Sequence, residues 1–371
     1  MRICHFCSSN FGGTYYSYLG NGLGRIKSEQ FFVTLNLPDP PDWLTQSPEI
    51  NYSTLGTGKR IMYPFAIRRL AQFLSENRIE ILQTHMFEGA LIGMIAARLA
   101  RTPITIVTRH HLDEGMLLGT RVHLALERWS NQAADCVIVP SEATRRFMFE
   151  VEKQKGTNVR VIPYGFDFEA MGAAEADREK VRKEFGLSDD FVIGCVGRFF
   201  KNKGHVYLFE AVADIIKDFP NVKILLLGSG DREMLNEVIS RLDIIDHVIF
   251  AGYRNDIPAC MKAMDLLVHP SLSESFGQVI VEALCVGTPV VVTSVGGVPE
   301  IVSNGETGIV VEPKNSKALY DAILRMIKNP ALRLQLGSAG RASVTEKFTV
   351  EKFIDLQWEC YQDLLKAKNV G

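Results

Sequence analysis

Short apolar, β-branched runs alternate with longer stretches of helical periodicity along the whole chain, the pattern of a parallel sheet wrapped by helices. In the first half the strand-like runs are RICHFC, FFVTLN, EILQTHM, ITIVTRH, CVIVPS and VRVIPYG, separated by helical patterns such as YPFAIRRLAQFLSEN and GALIGMIAARLAR. The second half supplies FVIGCVGRF, VKILLLGSG, HVIFAGY, DLLVHPS, PVVVTS and TGIVVEP. So many strands exceed one doubly wound sheet, and the natural division is six and six. Pro163 and Gly165 in IPYGFD are turn residues, and the charged stretch GAAEADREKVRKE follows, which places the boundary near residue 166. The last segment, TVEKFIDLQWECYQDLLKAK, reads as an amphipathic helix with Phe353, Leu356, Trp358 and Leu364 among its apolar positions.

Composition narrows the function more than the fold. The length of 371 residues supports two domains. A balance of 41 Lys and Arg against 43 Asp and Glu excludes the strongly basic footprint of a nucleic-acid binder. Residues 1–165 hold 18 basic and 14 acidic residues, a charge of +4, which leaves 23 and 29, or -6, for the remainder. Solvated helix faces account for this asymmetry, with an anionic acceptor or inner membrane surface met by the basic segment KRIMYPFAIRRL as the alternative. Apolar runs are strand-sized, far below the roughly 20 residues of a membrane span, and MRICHFCSS has no signal-peptide pattern. A cytoplasmic protein is expected, with peripheral contact to the cytoplasmic membrane face as the addition. Seven scattered cysteines fit a reducing compartment, and Cys4 and Cys7, a lone CxxC in a strand, read as core fillers.

The candidate chemistry gathers where strands end. In SESFGQVIVEALCVG a helix is expected from about residue 276, capped by Ser273 or Ser275, with its free amides facing a phosphate. Gly277 lets a ligand approach those amides closely. Glu274 in the loop and Glu282, two turns into that helix, suit sugar hydroxyls, because an acid without donors is costly to bury. Arg198 and Lys203 in GRFFKNKG follow the first strand of the second half and can clamp a diphosphate and stabilise it as it leaves. In SSNFGGTYY, Gly12 and Gly13 permit a tight turn near a phosphate or a reacting sugar. His110 ends the run ITIVTRH and can meet a reacting centre, with His111 the competing choice. LGTGKR lacks the first Gly and the final Ser or Thr of a P-loop and reads as a loop. Without a DxD sequence or a His/Cys cluster of metal spacing, no metal or other cofactor is expected.

These motifs together resemble the retaining glycosyltransferases of family 4, which have the GT-B fold, over nearly the whole chain. Glu274 and Glu282 match the E-x7-E motif, GRFFKNKG the Arg and Lys segment, and FAGYRNDIP, DLLVHPSLSESFG and GTPVVVTSVGGVPEIV further blocks. In the first half only Gly12, Gly13, TRH and VPSEATRR match. The resemblance implies an α/β architecture of two Rossmann-like doubly wound domains facing across a cleft. Residues 1–166 with a returning helix, 349–371, would bind the acceptor, and 167–348 the nucleotide sugar.

Arg198 and Lys203 would then hold the diphosphate, Glu282 the ribose and Glu274 the donor sugar. Amides of Phe276, Gly277 and Gln278 would meet sugar and phosphate, with Tyr253 and Arg254 near the base. Gly13 would close over the diphosphate and His110 would contact the transferring sugar. The implied reaction is metal-independent transfer, with retention, from a UDP-sugar rather than a GDP-sugar to a hydroxyl of a glycan, glycolipid or small molecule, as in polysaccharide biosynthesis. Front-face substitution, with the departing phosphate helping to take the acceptor's proton, is the favoured route. A sugar-nucleotide epimerase acting without an acceptor is the alternative, and a non-catalytic sugar-nucleotide binder a third reading. Donor sugar, linkage and oligomeric state are not legible in these motifs.

Overall fold

The computed structural model describes residues 1–371 except 9–12, 25, 27, 38, 58, 59, 113–119, 173–177, 188 and 369–371. The chain forms two compact units, one of Met1–Phe166 with Phe348–Gly371 and one of Asp167–Lys347.

The first unit is built on seven parallel strands, β1 (Arg2–Cys7), β2 (Glu29–Thr34), β3 (Asn51–Thr54), β4 (Ile81–His85), β5 (Ile104–Thr108), β6 (Cys136–Val139) and β7 (Val159–Val161). Their order is β3-β2-β1-β4-β5-β6-β7. Six strands were expected, and β3 is the addition. Its sequence NYST has no apolar run, because it is an edge strand pairing with β2 alone and none of its side chains is fully buried. Central β4 and β5 are buried at every position, as strands covered on both faces must be. On one face, Leu70 and Leu74 of the helix Tyr63–Glu76 and Ile92 and Ala96 of Met86–Ala100 close over Cys4, Phe6 and Leu82.

The helix Val350–Ala367 belongs to this first unit. Thr349 caps it by accepting a hydrogen bond from the Lys352 amide. Its buried side chains are Phe353, Ile354, Gln357, Cys360, Tyr361 and Leu364, whereas Leu356, expected among the apolar positions, is 39% exposed and Trp358 only partly covered. A polar residue, Gln357, lies on the buried stripe. This helix covers polar side chains of the sheet, and the Tyr361 hydroxyl donates to the Gln83 side chain of β4. The Phe353 ring lies 5.2 Å from that of Tyr15 in the helix Thr14–Gly24. The chain leaves and re-enters the unit at one place, where the Phe166 amide donates to the Phe348 carbonyl at 2.9 Å.

The second unit has β8 (Phe191–Val196), β9 (Val222–Leu227), β10 (Val248–Gly252), β11 (Leu266–His269), β12 (Val290–Thr293) and β13 (Ile309–Val311), the six runs expected. Their order, β10-β9-β8-β11-β12-β13, reverses direction between β8 and β11. In the first unit the reversal lies between β1 and β4. Such switch points open a crevice beyond the carboxyl ends of the strands, where open α/β sheets bind ligands.

Docking of the last helix carries a measurable share of the first unit's stability. Phe353→Ala removes a ring that is 2% exposed and should cost about 3–5 kcal/mol in urea unfolding followed by circular dichroism; a loss below about 1 kcal/mol would mean that the helix is not packed as described.

Candidate functional site

At the switch point of the second unit, the loop after β8 and the loop after β11 are joined by their backbones. The Leu272 amide donates to the Asn202 carbonyl at 2.7 Å, and the Ser271 hydroxyl donates to the same oxygen at 3.3 Å. Gly204 makes this approach feasible, since it sits at φ +68° and a Cβ there would lie 2.0 Å from the Pro270 carbonyl oxygen. The Thr293 hydroxyl of β12 donates to the Ser271 carbonyl at 2.5 Å, and the Gly297 amide to the Glu274 carbonyl at 3.1 Å.

Across this joint, Lys203 Nζ donates to Glu274 Oε2 at 2.8 Å and His269 Nε2 lies 3.1 Å from the same oxygen. Burial alone would raise the Glu274 pKa, but the hydrogen bond from His269 and the charge of Lys203 outweigh it and hold the carboxyl down to about 2. Lys203 and Glu274, 71 positions apart, are thus one ionic unit. His269, the last residue of β11, was not singled out in the sequence; its signal was its place at a strand's carboxyl end, five residues before Glu274.

The helix after the loop runs Gln278–Cys285 and starts later than expected. Its N-cap is Gly277, at φ 114° and ψ 49°, with no side-chain cap, so neither Ser273 nor Ser275 has that role. A left-handed backbone is open to glycine, and a Cβ at 277 would also press on Ile280 at 3.0 Å. Among the described residues, the amides of Gly277, Gln278 and Val279 meet no protein acceptor. Phe276, 2% exposed, anchors the loop in the core. Glu282 lies just over one turn into the helix rather than two. No hydrogen bond or ion pair to a described residue reaches its carboxylate, and burial pushes its pKa up to about 7.

The remaining predicted residues differ in how free they are. Arg198 is exposed, its guanidinium 4.7 Å from the Phe200 ring, and it makes no ion pair among the described residues. Tyr253 is 80% exposed. Arg254, expected near a base, has its guanidinium taken up by two carboxylates, Glu184 at 2.6 and 3.1 Å and Asp256 at 2.8 and 2.7 Å. Its side chain is a clamp within the second unit, not a free cation.

In the first unit, Gly13 is exposed and precedes the helix Thr14–Gly24, whereas Gly12, like Gly58 and Lys59 of LGTGKR, lies outside the described residues. His110 follows β5 at the carboxyl edge of the sheet, with Nδ1 2.8 Å from the Tyr164 hydroxyl and Nε2 3.3 Å from His85 Nδ1. His111 turns instead to Glu127, with Nε2 2.8 Å from Oε1, beside Arg109, which is paired with Glu152 at 2.6 Å. Of the two candidates, His110 is the one joined to the other histidines at the switch point between β1 and β4.

Two family models divide the chain between them. Residues 177–343 match Glycosyl transferases group 1, and residues 13–170 match Glycosyltransferase Family 4. The capsular polysaccharide biosynthesis glycosyltransferase CapM of Staphylococcus aureus is 30% identical over 289 residues, covering 75% of each chain. The chain belongs to the group 1 glycosyltransferases. The N-acetyl-alpha-D-glucosaminyl L-malate synthase of Bacillus anthracis is 26% identical over 383 residues, covering 100% of this chain and 99% of its own. In fold, this glycosyltransferase is similar to the crystal structure of Anabaena HepE in complex with UDP-glucose, with TM-score 0.83 and 24% identity over 98% of this chain and 100% of that one, and the fold is GT-B. Arg198, Lys203, Glu274 and Glu282 all fall within the group 1 match, and Gly13 and His110 within the other.

An acid raised to about 7 by burial weakens the ligand-free enzyme as pH rises from about 4.5, where the unfolded carboxyl ionises, to about 7, where the folded one does. Glu282→Gln should therefore stabilise the ligand-free chain by about 2–3 kcal/mol at pH 8 and by little at pH 4, read from melting curves across pH. A difference independent of pH would show that Glu282 is not held as a costly carboxylate.

Proposed function

We propose that this glycosyltransferase transfers a sugar, with retention and without a metal ion, from a nucleotide-diphosphate sugar, UDP-linked in preference to GDP-linked, to a hydroxyl of a glycan or glycolipid. The observation that carries this reading is Glu282, a carboxylate without a partner among the described residues, one turn into a helix whose first three amides, Gly277–Val279, have no acceptor among them either. A ribose diol supplies two donors to the acid, and a diphosphate supplies acceptors to the amides and to Arg198. Lys203 adds positive charge beside the same phosphates while anchoring Glu274, whose ionised carboxylate can accept hydrogen bonds from the donor sugar. Tyr253, exposed at the end of β10, offers a ring for the base.

Retention follows in this reading from front-face substitution. Arg198 and Lys203 stabilise the departing diphosphate, and one of its oxygens takes the acceptor's proton. No carboxylate has been assigned as nucleophile: Glu274 is tied to Lys203 and His269, and Glu282 is assigned to the ribose. UDP is favoured because Anabaena HepE, similar in fold, was crystallised with UDP-glucose. The acceptor class is suggested by the polysaccharide role in the name of CapM. A peripheral membrane contact through the first unit is supported by exposed Ile61, Met62 and Phe65 beside exposed Arg68 at the start of the helix Tyr63–Glu76. Among the described residues, no helix is long and apolar enough to cross a membrane.

The test is thermal stabilisation by UDP, GDP and ADP and their common sugars in EDTA, followed by NMR of the product anomer. A ligand at about 100 times its Kd adds roughly 2.7 kcal/mol of stability. The expected result is a shift with UDP ligands in EDTA and a product of unchanged anomeric configuration. Stabilisation only with added divalent cation, or an inverted or acceptor-free product, would contradict it.

A further inference from the structure

A row of polar side chains crosses the first unit's sheet from the amino end of β2 to the carboxyl end of β5, and its hydrogen-bond directions follow from one end. Ser28 Oγ donates to the Leu23 carbonyl at 2.6 Å, and a carbonyl can only accept. The Ser28 oxygen must then accept from Gln30 Nε2, at 2.7 Å. That orients the Gln30 amide with Oε1 toward His5 Nε2, at 3.0 Å, so His5 carries its proton on Nε2. The neutral ring then accepts at Nδ1, 3.5 Å from His85 Nε2. Repeating the step, His85 accepts at Nδ1 from His110 Nε2 at 3.3 Å, and His110 accepts at Nδ1 from the Tyr164 hydroxyl at 2.8 Å.

Neutrality is enforced by burial. Gln30, His5, His85 and Tyr164 are each 6% exposed or less. Desolvation pushes His5 down to about 4 and His110 to about 3, and holds His85 well below the usual range. The rings are also boxed in: Tyr15 lies edge-on to His110 at 4.8 Å, and Tyr16 edge-on to His85 at 5.1 Å. Each strand contributes what it can reach, with Gln30 from β2, His5 from β1, His85 from β4 and His110 just past β5.

We infer that Gln30, His5, His85 and Tyr164 are positioning residues that hold His110 as a neutral imidazole protonated on Nε2. A tautomer is set by the bond the other ring nitrogen makes, and here that constraint passes through three rings. His110 therefore sits at the carboxyl edge of the sheet as a fixed neutral ring, its Nε2 donating to His85 and its Nδ1 accepting from Tyr164. It is neither a general acid nor a countercharge for the diphosphate. The kinetic consequence rests on the reading above that His110 meets the donor sugar; the tautomer does not.

The experiment is long-range proton–nitrogen NMR of the full chain with ¹⁵N-labelled histidine at pH 7, on the wild type, His85→Leu and His85→Gln. Glutamine can accept from His110 and donate to His5 as the imidazole does. Nε2-protonated signals for His5, His85 and His110 in the wild type are expected. His85→Leu should mix the His110 tautomers and lower kcat by about tenfold with little change in the donor KM, and His85→Gln should restore part of both. A wild-type His110 protonated on Nδ1 or on both nitrogens would overturn the inference, even if the leucine variant does not fold. So would a folded leucine variant whose His110 stays wholly protonated on Nε2, whereas mixed tautomers with full kcat would overturn the contact of His110 with the donor sugar. Failure of the donor-site reading would appear separately, as absence of nucleotide binding by the wild-type chain.

Discussion

One carboxylate between a lysine and a histidine makes two loops into a site. Glu274 is held down to about 2 by His269 and Lys203 against the opposing effect of burial. The loops it joins follow β8 and β11, neighbours only because the strand order reverses there. Without the Lys203 contact, Glu274 would keep His269 as its partner but lose the cation that ties its loop to the one after β8. The positive φ at Gly204 is the backbone condition for the same approach.

Around this paired acid lie other polar groups that have no partner among the described residues. Among the described residues, Glu282 and the Arg198 guanidinium make no ion pair and the amides of Gly277–Val279 have no acceptor. Glu274 carries its charge at neutral pH because its partners are built in. Glu282 sits near the midpoint of its titration because its partners are not. The contrast between two glutamates eight positions apart separates a part of the loop that holds itself together from the part that the proposed donor would complete.

Much of this was legible in the sequence because parallel strands buried on both faces announce themselves as β-branched runs, and because each open sheet binds ligands at the carboxyl ends of its own strands. What escaped notice did so for physical reasons. The edge strand Asn51–Thr54 has no apolar pattern, since it is half solvated. The last helix buries Gln357 on the same stripe as Phe353, Cys360 and Tyr361 and exposes Leu356, a placement that an apolar pattern does not show. His269 looked like part of a strand. The row from Gln30 to Tyr164 joins residues 25, 80, 25 and 54 positions apart, a distance only the strand order brings together.

The central claim, that Glu282 receives the ribose of a nucleotide sugar, is tested most directly by counting protons. Calorimetric titration of UDP-glucose at pH 7, in buffers of different ionisation enthalpy, reports the protons exchanged on binding. A carboxyl with a pKa near 7 that gains two hydroxyl donors is driven to its ionised form, so the account predicts release of about half a proton per nucleotide sugar bound, lost in Glu282→Gln. Binding without proton release, or release that persists in the variant, would contradict it.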